Sequence, residues 1–323
     1  MLTKMTTKID IQSTARLLME KDNILILCHK NPDGDTLGSA AALCHALTAM
    51  GKKAVVACHN RIPAKYDYLN IPVWDGQSEI DYVVSVDVAG VNLLGESLAD
   101  FCHKIDLCID HHGSNGEYAK CLCLKADYPA AAQLMYEIIC EMGVEITPHI
   151  ADCLYTGLIT DTGCFKYSST TPRTHEIGAR LMELGAQHTM LVEKFFMSKT
   201  RKAVALEKYM LNNLEYYFDD RCALLLLTRE AMQEIQPDPT DLDGLSSMPR
   251  NFEGVDVSVL IRPLREDGNY KLSIRTGETV DACAIASALG GGGHLRAAGC
   301  EVIGSIETVK REILKEVENA LCQ

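Results

Sequence analysis

No stretch of the 323-residue chain approaches the roughly 20 consecutive apolar residues of a membrane-spanning helix, and the opening MLTKMTTKIDIQST lacks the apolar core of an export signal. The expectation is a protein of the cytoplasm, with no membrane partner. Positive charge is also in short supply: 31 Lys and Arg against 44 Asp and Glu leave a net charge of −13. That deficit argues against a broad electrostatic grip on long nucleic acid, which needs many cations on phosphates. An anionic substrate must then be small, or met by a local cluster of cations. Internal repeats and low-complexity tracts are missing too. The 14 cysteines have no recurrent spacing, so reduced thiols fit better than a disulfide framework. Many stand inside apolar runs, where Cys acts as a small hydrophobe. Cys121 and Cys123 lack the second Cys or His pair that a zinc site needs.

With 47% apolar and 23% charged residues, the chain can bury two cores. Its first half alternates β-branched runs with helical patterns, which predicts an α/β fold with a doubly wound parallel sheet covered on both faces. Strands are expected over 24–28, 54–58, 82–87 and 107–110. Helices are expected over 36–50, closed by Gly51, over 130–141, and over 172–184, where Thr171 caps and Gly185 ends the run. A further helix over 199–218 reads as a connector. Beyond it, strands over 223–227, 255–261, 270–275 and near 300–303 predict a smaller α/β unit. The resulting division is a first domain over 1–197, a helical linker over 198–220 and a second domain over 221–323.

Four segments stand where an open parallel sheet places its active site, at the carboxyl ends of strands. The first is HKNPDGDTLGS, with His29, Asp33 and Asp35. NPDGD by itself is ordinary turn sequence, but a His followed by Asp at plus four and plus six is less usual. The second, VVSVD, ends an apolar strand on Asp87, a residue that could merely cap a turn. The third, LCIDHHGSN, sets Asp110, His111 and His112 side by side, and three ionisable groups beside an apolar strand need partners. The fourth, LYTGLITDTGCF, is another apolar run that ends on one carboxylate, Asp161. Together they offer two imidazoles and four carboxylates at one sheet edge, an oxygen-rich set suited to a pair of hard or borderline cations. Two such ions about 3.5 to 4 Å apart can share a carboxylate and a hydroxide and clamp an in-line displacement at phosphorus.

These four segments resemble the motifs of the DHH phosphoesterase family, which includes RecJ-type exonucleases, family II pyrophosphatases and bacterial oligoribonucleases that also dephosphorylate 3'-phosphoadenosine 5'-phosphate. The resemblance extends to GGGGHLRAAG near the C-terminus, similar to the family's associated substrate-binding domain. It implies one metal at His29, Asp33 and Asp87 and a second at Asp35, Asp87, His111 and Asp161, with Mn2+ foremost and Mg2+ or Co2+ as substitutes. His112 would face the substrate, with Asp110 orienting its neighbours. In the C-terminal domain, Gly291, Gly292, Gly293, His294 and Arg296, with Arg275 of SIRTG, would grip phosphate; glycines let backbone N–H groups approach an anion, and Arg binds two oxygens at once. Arg173 and Arg262 are left as solvated side chains. VAGVNLLGE lacks an arginine the family often carries after the aspartate, and Gln133 replaces an expected carboxylate.

The implied activity is hydrolysis of short oligoribonucleotides to mononucleotides and removal of the 3'-phosphate of 3'-phosphoadenosine 5'-phosphate by a metal-bridging hydroxide. The partners are short RNA or small phosphonucleotides and no long duplex, with room for a homodimer. Phosphodiesterase action on cyclic or linear dinucleotides is the nearest alternative. A non-catalytic RNA-binding module is the alternative of another class, since a similar glycine-rich domain occurs in alanyl-tRNA synthetase.

Overall fold

The apolar runs ILIL, AVVA, YVVSV and LCID become β2 (Ile24–Leu27), β3 (Ala54–Ala57), β4 (Tyr82–Val86) and β5 (Leu107–Asp110) of a parallel sheet in the computed structural model. The structure describes residues 6–322 except 243 and 265–267, without the side chains of residues 239, 240 and 294. β1 (Thr7–Lys8) and β6 (Cys121–Leu124) complete six strands in the order β1-β6-β5-β4-β2-β3, every pair parallel. The chain leaves β2 for β3 on one side and returns to β4 on the other. That reversal opens a crevice at the carboxyl ends of β2 and β4.

Successive side chains of a strand face opposite ways, so Ile24 and Ile26 enter one core and Leu25 and Leu27 another. The first core holds the helices α1 (Ile11–Glu20), α2 (Gly34–Ala49), α3 (Ala131–Glu141), α4 (Pro148–Asp161), α5 (Pro172–Glu183) and α6 (His188–Val192). On the other face, Leu25, Leu27 and Val83 meet Leu98 and Phe101 of a 3-10 segment, Glu96–Phe101, so the helical cover there is 3-10 in kind. Among the described residues, no helix is long and apolar enough to cross a membrane. All fourteen cysteines are free.

The run before Asp161, expected to behave as a strand end, is the helix α4. Thr147 caps it by accepting from the Ile150 N–H, and Pro148 takes its first turn. Ten of its residues are buried, so it shows no polar face from which a helical period could be read. α2 is buried almost all round as well. The two helices close on each other through glycines: a Cβ on Gly38 would collide with the Cys153 carbonyl, and one on Gly157 would lie 2.7 Å from an Asp35 carboxylate oxygen. This close approach sets Asp35 and Asp161 beside each other.

Packing divides the chain after Ser198. The second unit carries a mixed sheet, β11-β12-β10-β9-β8-β7, of β7 (Leu214–Tyr217), β8 (Cys222–Leu226), β9 (Val257–Pro263), β10 (Asn269–Thr276), β11 (Gly292–His294) and β12 (Ala297–Ile303). Its helices are α7 (Arg201–Asn213), α8 (Arg229–Ile235), α9 (Ala282–Ala288) and α10 (Ile306–Leu321). The helix read as a connector is α7. It ends at Asn213, and Leu206 and Met210 are buried among Leu225, Leu227 and Leu245, which makes it an integral part of the second unit.

Candidate active site

β2 ends two residues before His29, and the chain then turns into α2 with Asp33 as its N-cap. The Asp33 carboxylate accepts from the N–H groups of Asp35 and Thr36, at 3.0 and 3.1 Å, and its other oxygen lies 3.5 Å from His29 Nε2. Thr36 Oγ1 donates to the Val86 carbonyl at 2.9 Å, which fastens the start of α2 to the end of β4. Asp35 is fully buried and accepts from the N–H groups of Ala131 and Ala132 at 2.6 and 2.8 Å. It therefore caps the N-terminus of α3, where a carboxylate is favoured.

Asp87 follows β4 with a left-handed backbone, φ +59°. That conformation is costly for a residue with a side chain and persists only where the surroundings enforce it. Here it turns the carboxylate into the crevice. Asp87 is 3% exposed, and its Oδ1 has no hydrogen-bond partner. The same oxygen lies 3.3 Å from His111 Nε2 and 3.5 Å from His112 Nδ1, while Oδ2 lies 3.9 Å from His29 Nε2. His111 Nδ1 donates to the Tyr128 carbonyl at 3.0 Å, which leaves Nε2 facing Asp87, Asp35 at 3.7 Å and Asp161 at 3.4 Å. Asp110, at the end of β5, bonds His112 Nδ1 and the His111 N–H, each at 2.8 Å, and accepts from Asn115 Nδ2 at 2.7 Å.

The electrostatics are those of negative charge held too close. Burial, then Asp87 and Asp161, push the Asp35 carboxyl well above its ordinary range. Burial and Asp87 likewise push Asp161 up to about 7. Burial disfavours charge on His111, but Asp87, Asp35 and Asp161 outweigh it and raise the imidazole to about 10. His29 is raised by Asp33 and Asp87 against the same opposing effect of burial, and His112 chiefly by its bond to Asp110. Without a cation, this cluster holds itself together by retaining protons.

Ligand atoms of His29, Asp33 and Asp87 lie within 4.8 Å of one another, as do those of Asp35, His111 and Asp161 and those of Asp87, His111 and His112. The donor set is carboxylate oxygen with imidazole nitrogen, which suits hard or borderline divalent ions. The unpartnered, buried Asp87 Oδ1 is an acceptor that such an ion would satisfy. Asn115, the Tyr128 carbonyl and the α3 amides were absent from the sequence reading. Asn115 stands in LCIDHHGSN, where an amide five residues after Asp110 is a usable signal, whereas a backbone carbonyl leaves none.

In the second unit, an open hollow of about 680 Å³ is lined by Lys271, Ser273 and Arg275 of β10, by the glycines 290–293 and by Glu301 of β12. Lys271 and Ser273 share the face of Arg275 by strand alternation, a pattern that could have revealed them. The first two amides of the glycine run are not available for the anion nest expected of it. The amides of Gly290 and Gly291 donate to the carbonyls of Ser287 and Ala286 at the end of α9, and Gly292–His294 is an edge strand on β12. Arg296 does not line the hollow: its guanidinium donates to the carbonyls of Gly277, Glu278 and Val280 and ties down that turn. The His294 side chain lies outside the described ones. Arg173, left as a surface residue, pairs with Glu137 and Glu176.

An all-parallel sheet with acid and imidazole side chains gathered at its switch point, followed by a second α/β unit with a cationic hollow, is the architecture of a phosphoesterase. Residues 23–158 match the DHH family, N-terminal domain, and residues 227–322 match the DHHA1 domain. The chain belongs to the DHH family of phosphoesterases, as its motifs led us to expect. It is 31% identical, over 92% of its length and 90% of the other, to the bifunctional oligoribonuclease and PAP phosphatase NrnA of Thermus thermophilus. It is 25% identical, over 93% and 95%, to the probable bifunctional oligoribonuclease and PAP phosphatase NrnA of Streptococcus mutans. An exopolyphosphatase-related protein from Bacteroides fragilis shares the fold with a TM-score of 0.88, at 25% identity over 96% of both chains.

Proposed function

We propose that this protein hydrolyses short oligoribonucleotides to mononucleotides and removes the 3'-phosphate of 3'-phosphoadenosine 5'-phosphate, with two divalent cations, Mn2+ foremost. The names of its Thermus and Streptococcus relatives support the substrates. The observation that carries the chemistry is the buried Asp87 carboxylate between two ligand clusters, its Oδ1 facing the His111 and His112 nitrogens at 3.3 and 3.5 Å. His29, Asp33 and Asp87 would hold one cation, and Asp35, Asp87, His111 and Asp161 the other. Such ions supply positive charge to the phosphoryl oxygens and make a water acidic enough to attack phosphorus.

The chain's own residues do the positioning. The left-handed Asp87 backbone fixes the carboxylate between the clusters, and the Tyr128 carbonyl fixes which His111 nitrogen is free. His112 Nδ1 bonds Asp110, which fixes the orientation of the imidazole proposed to face the substrate. Lys271 and Arg275 supply the cationic rim of the hollow, suited to a phosphate the reaction does not break. Purified protein with Mn2+ should turn over short RNA and 3'-phosphoadenosine 5'-phosphate faster than a cyclic dinucleotide. Fastest turnover of the cyclic dinucleotide would make the alternative substrate class the right one, and no turnover of any of the three would reject hydrolysis.

A further inference from the structure

At the far end of the α2 and α4 pair, His45 of α2, His149 of α4 and Cys153, one turn further along α4, bring one ligand atom each to within 4.8 Å of one another. No carboxylate belongs to the group. His45 Nε2 and His149 Nε2 are 3.1 Å apart, and the Leu69 carbonyl oxygen lies 2.9 Å from the first and 3.2 Å from the second. Leu69 closes the 3-10 segment Ala64–Leu69, and Asn70 after it is left-handed, φ +47°.

A single N–H shared between two acceptors is the most that protons can offer this triangle. A carbonyl only accepts. If both nitrogens carry protons toward it, the two N–H groups oppose each other at 3.1 Å. If one does, the lone pair of the other nitrogen faces the carbonyl oxygen at hydrogen-bond distance. A cation at the centre turns all three atoms into lone-pair donors. Ligands about 2.0 to 2.1 Å from a tetrahedral centre lie roughly 3.3 Å from one another, close to the separations observed. Cys153, fully buried and with its ligand atom within 4.8 Å of the pair, is then the fourth donor.

We propose that His45, His149, Cys153 and the Leu69 carbonyl form a second cation site, for a borderline-soft divalent ion of the zinc class. Imidazole with thiolate selects such ions, whereas the oxygen-rich catalytic cluster suits manganese or magnesium. His45 lies ten residues after Asp35 along α2 and His149 twelve before Asp161 along α4, about 15 and 18 Å at helical rise. The antiparallel pair thus carries catalytic side chains at one end and the clamp at the other. The ion would tie the Ala64–Leu69 segment to both helices and hold the rods on which Asp35 and Asp161 are mounted.

The test uses the whole 323-residue chain carrying Asp87→Asn, which weakens the catalytic cluster, stripped with a chelator and reloaded with Co2+ as the probe. A thiolate-to-cobalt charge-transfer band of one equivalent, with the intense visible bands of a tetrahedral ion, is expected. Both should vanish in Cys153→Ala and in His149→Gln, and Zn2+ should raise the thermal midpoint of the parent by several degrees while leaving those variants unmoved. If Cys153→Ala fails to fold by circular dichroism, His149→Gln decides. A folded parent with no thiolate band overturns the proposal. So does a band that survives His149→Gln, which would report another of the fourteen cysteines.

Discussion

At the strand ends of the N-terminal unit, Asp35, Asp87, Asp161 and their imidazoles crowd one buried space, whereas the hollow of the C-terminal unit is lined by glycine backbone with Lys271 and Arg275 at its rim. The first repels a phosphate until cations neutralise it; the second sets two cationic side chains against one carboxylate, Glu301. The contrast assigns different work to each. Changes in the carboxylate cluster should strike kcat, and changes around the hollow should strike KM.

The sharpest way to break this division is Asp87→Asn, which keeps size and removes the shared charge. Loss of turnover on the order of 10³-fold or more is expected, the scale of a lost principal electrostatic element, with an unchanged circular dichroism spectrum. Turnover close to that of the parent would refute the assignment. Next comes Asn115→Ala, which deprives Asp110 of a donor and loosens His112. It should lower kcat by about 10- to 100-fold with little change in KM, and a change confined to KM would move Asn115 out of the catalytic side of the comparison.

Gly157→Ala tests the scaffold. A methyl 2.7 Å from the Asp35 carboxylate and from the Ala132 Cβ should cost about 1 to 3 kcal/mol of stability by overpacking, read by denaturant unfolding, and lower kcat as Asp35 shifts. Gly292→Ala sits at the mild end, because a Cβ there meets nothing within 4 Å. It should leave the thermal midpoint unchanged and raise KM a few-fold; a fall in kcat alone would count against the hollow as a binding site.

A titration sharpens the same contrast. In the cation-free cluster the His111 imidazole is raised to about 10 and the Asp161 carboxyl to about 7. Cations must displace those protons, so Mn2+ affinity should rise with pH through that window, with proton release visible by calorimetry in buffers of different ionisation enthalpy. Sulfate, whose charge does not change across that window, should bind through the hollow's Lys and Arg with no such rise. Mn2+ affinity that is flat with pH would show the cluster empty of protons to displace.

Much of this was legible in the sequence, for physical reasons. Runs such as ILIL and YVVSV, short and β-branched, read as buried strands, and charged residues that follow them mark the rim of a sheet. α4 was illegible as a helix because it is apolar all round, and β1, two residues long, gives no period to read. The glycine run suggested an anion nest, but its first amides complete the end of α9. Arg296 looked like a phosphate ligand because type and position are visible in sequence, while the backbone carbonyls that claim it are not. His45 stands about a hundred residues before His149 and Cys153, and only the pairing of α2 with α4 brings them together.

The central claim is that two cations lie on either side of Asp87. Anomalous diffraction from crystals soaked in Mn2+ tests it most directly. Two peaks are expected, both touching the Asp87 carboxylate, one beside His29 and Asp33 and the other beside Asp35, His111 and Asp161. A single peak away from Asp87, or none in a crystal that diffracts well, would contradict it.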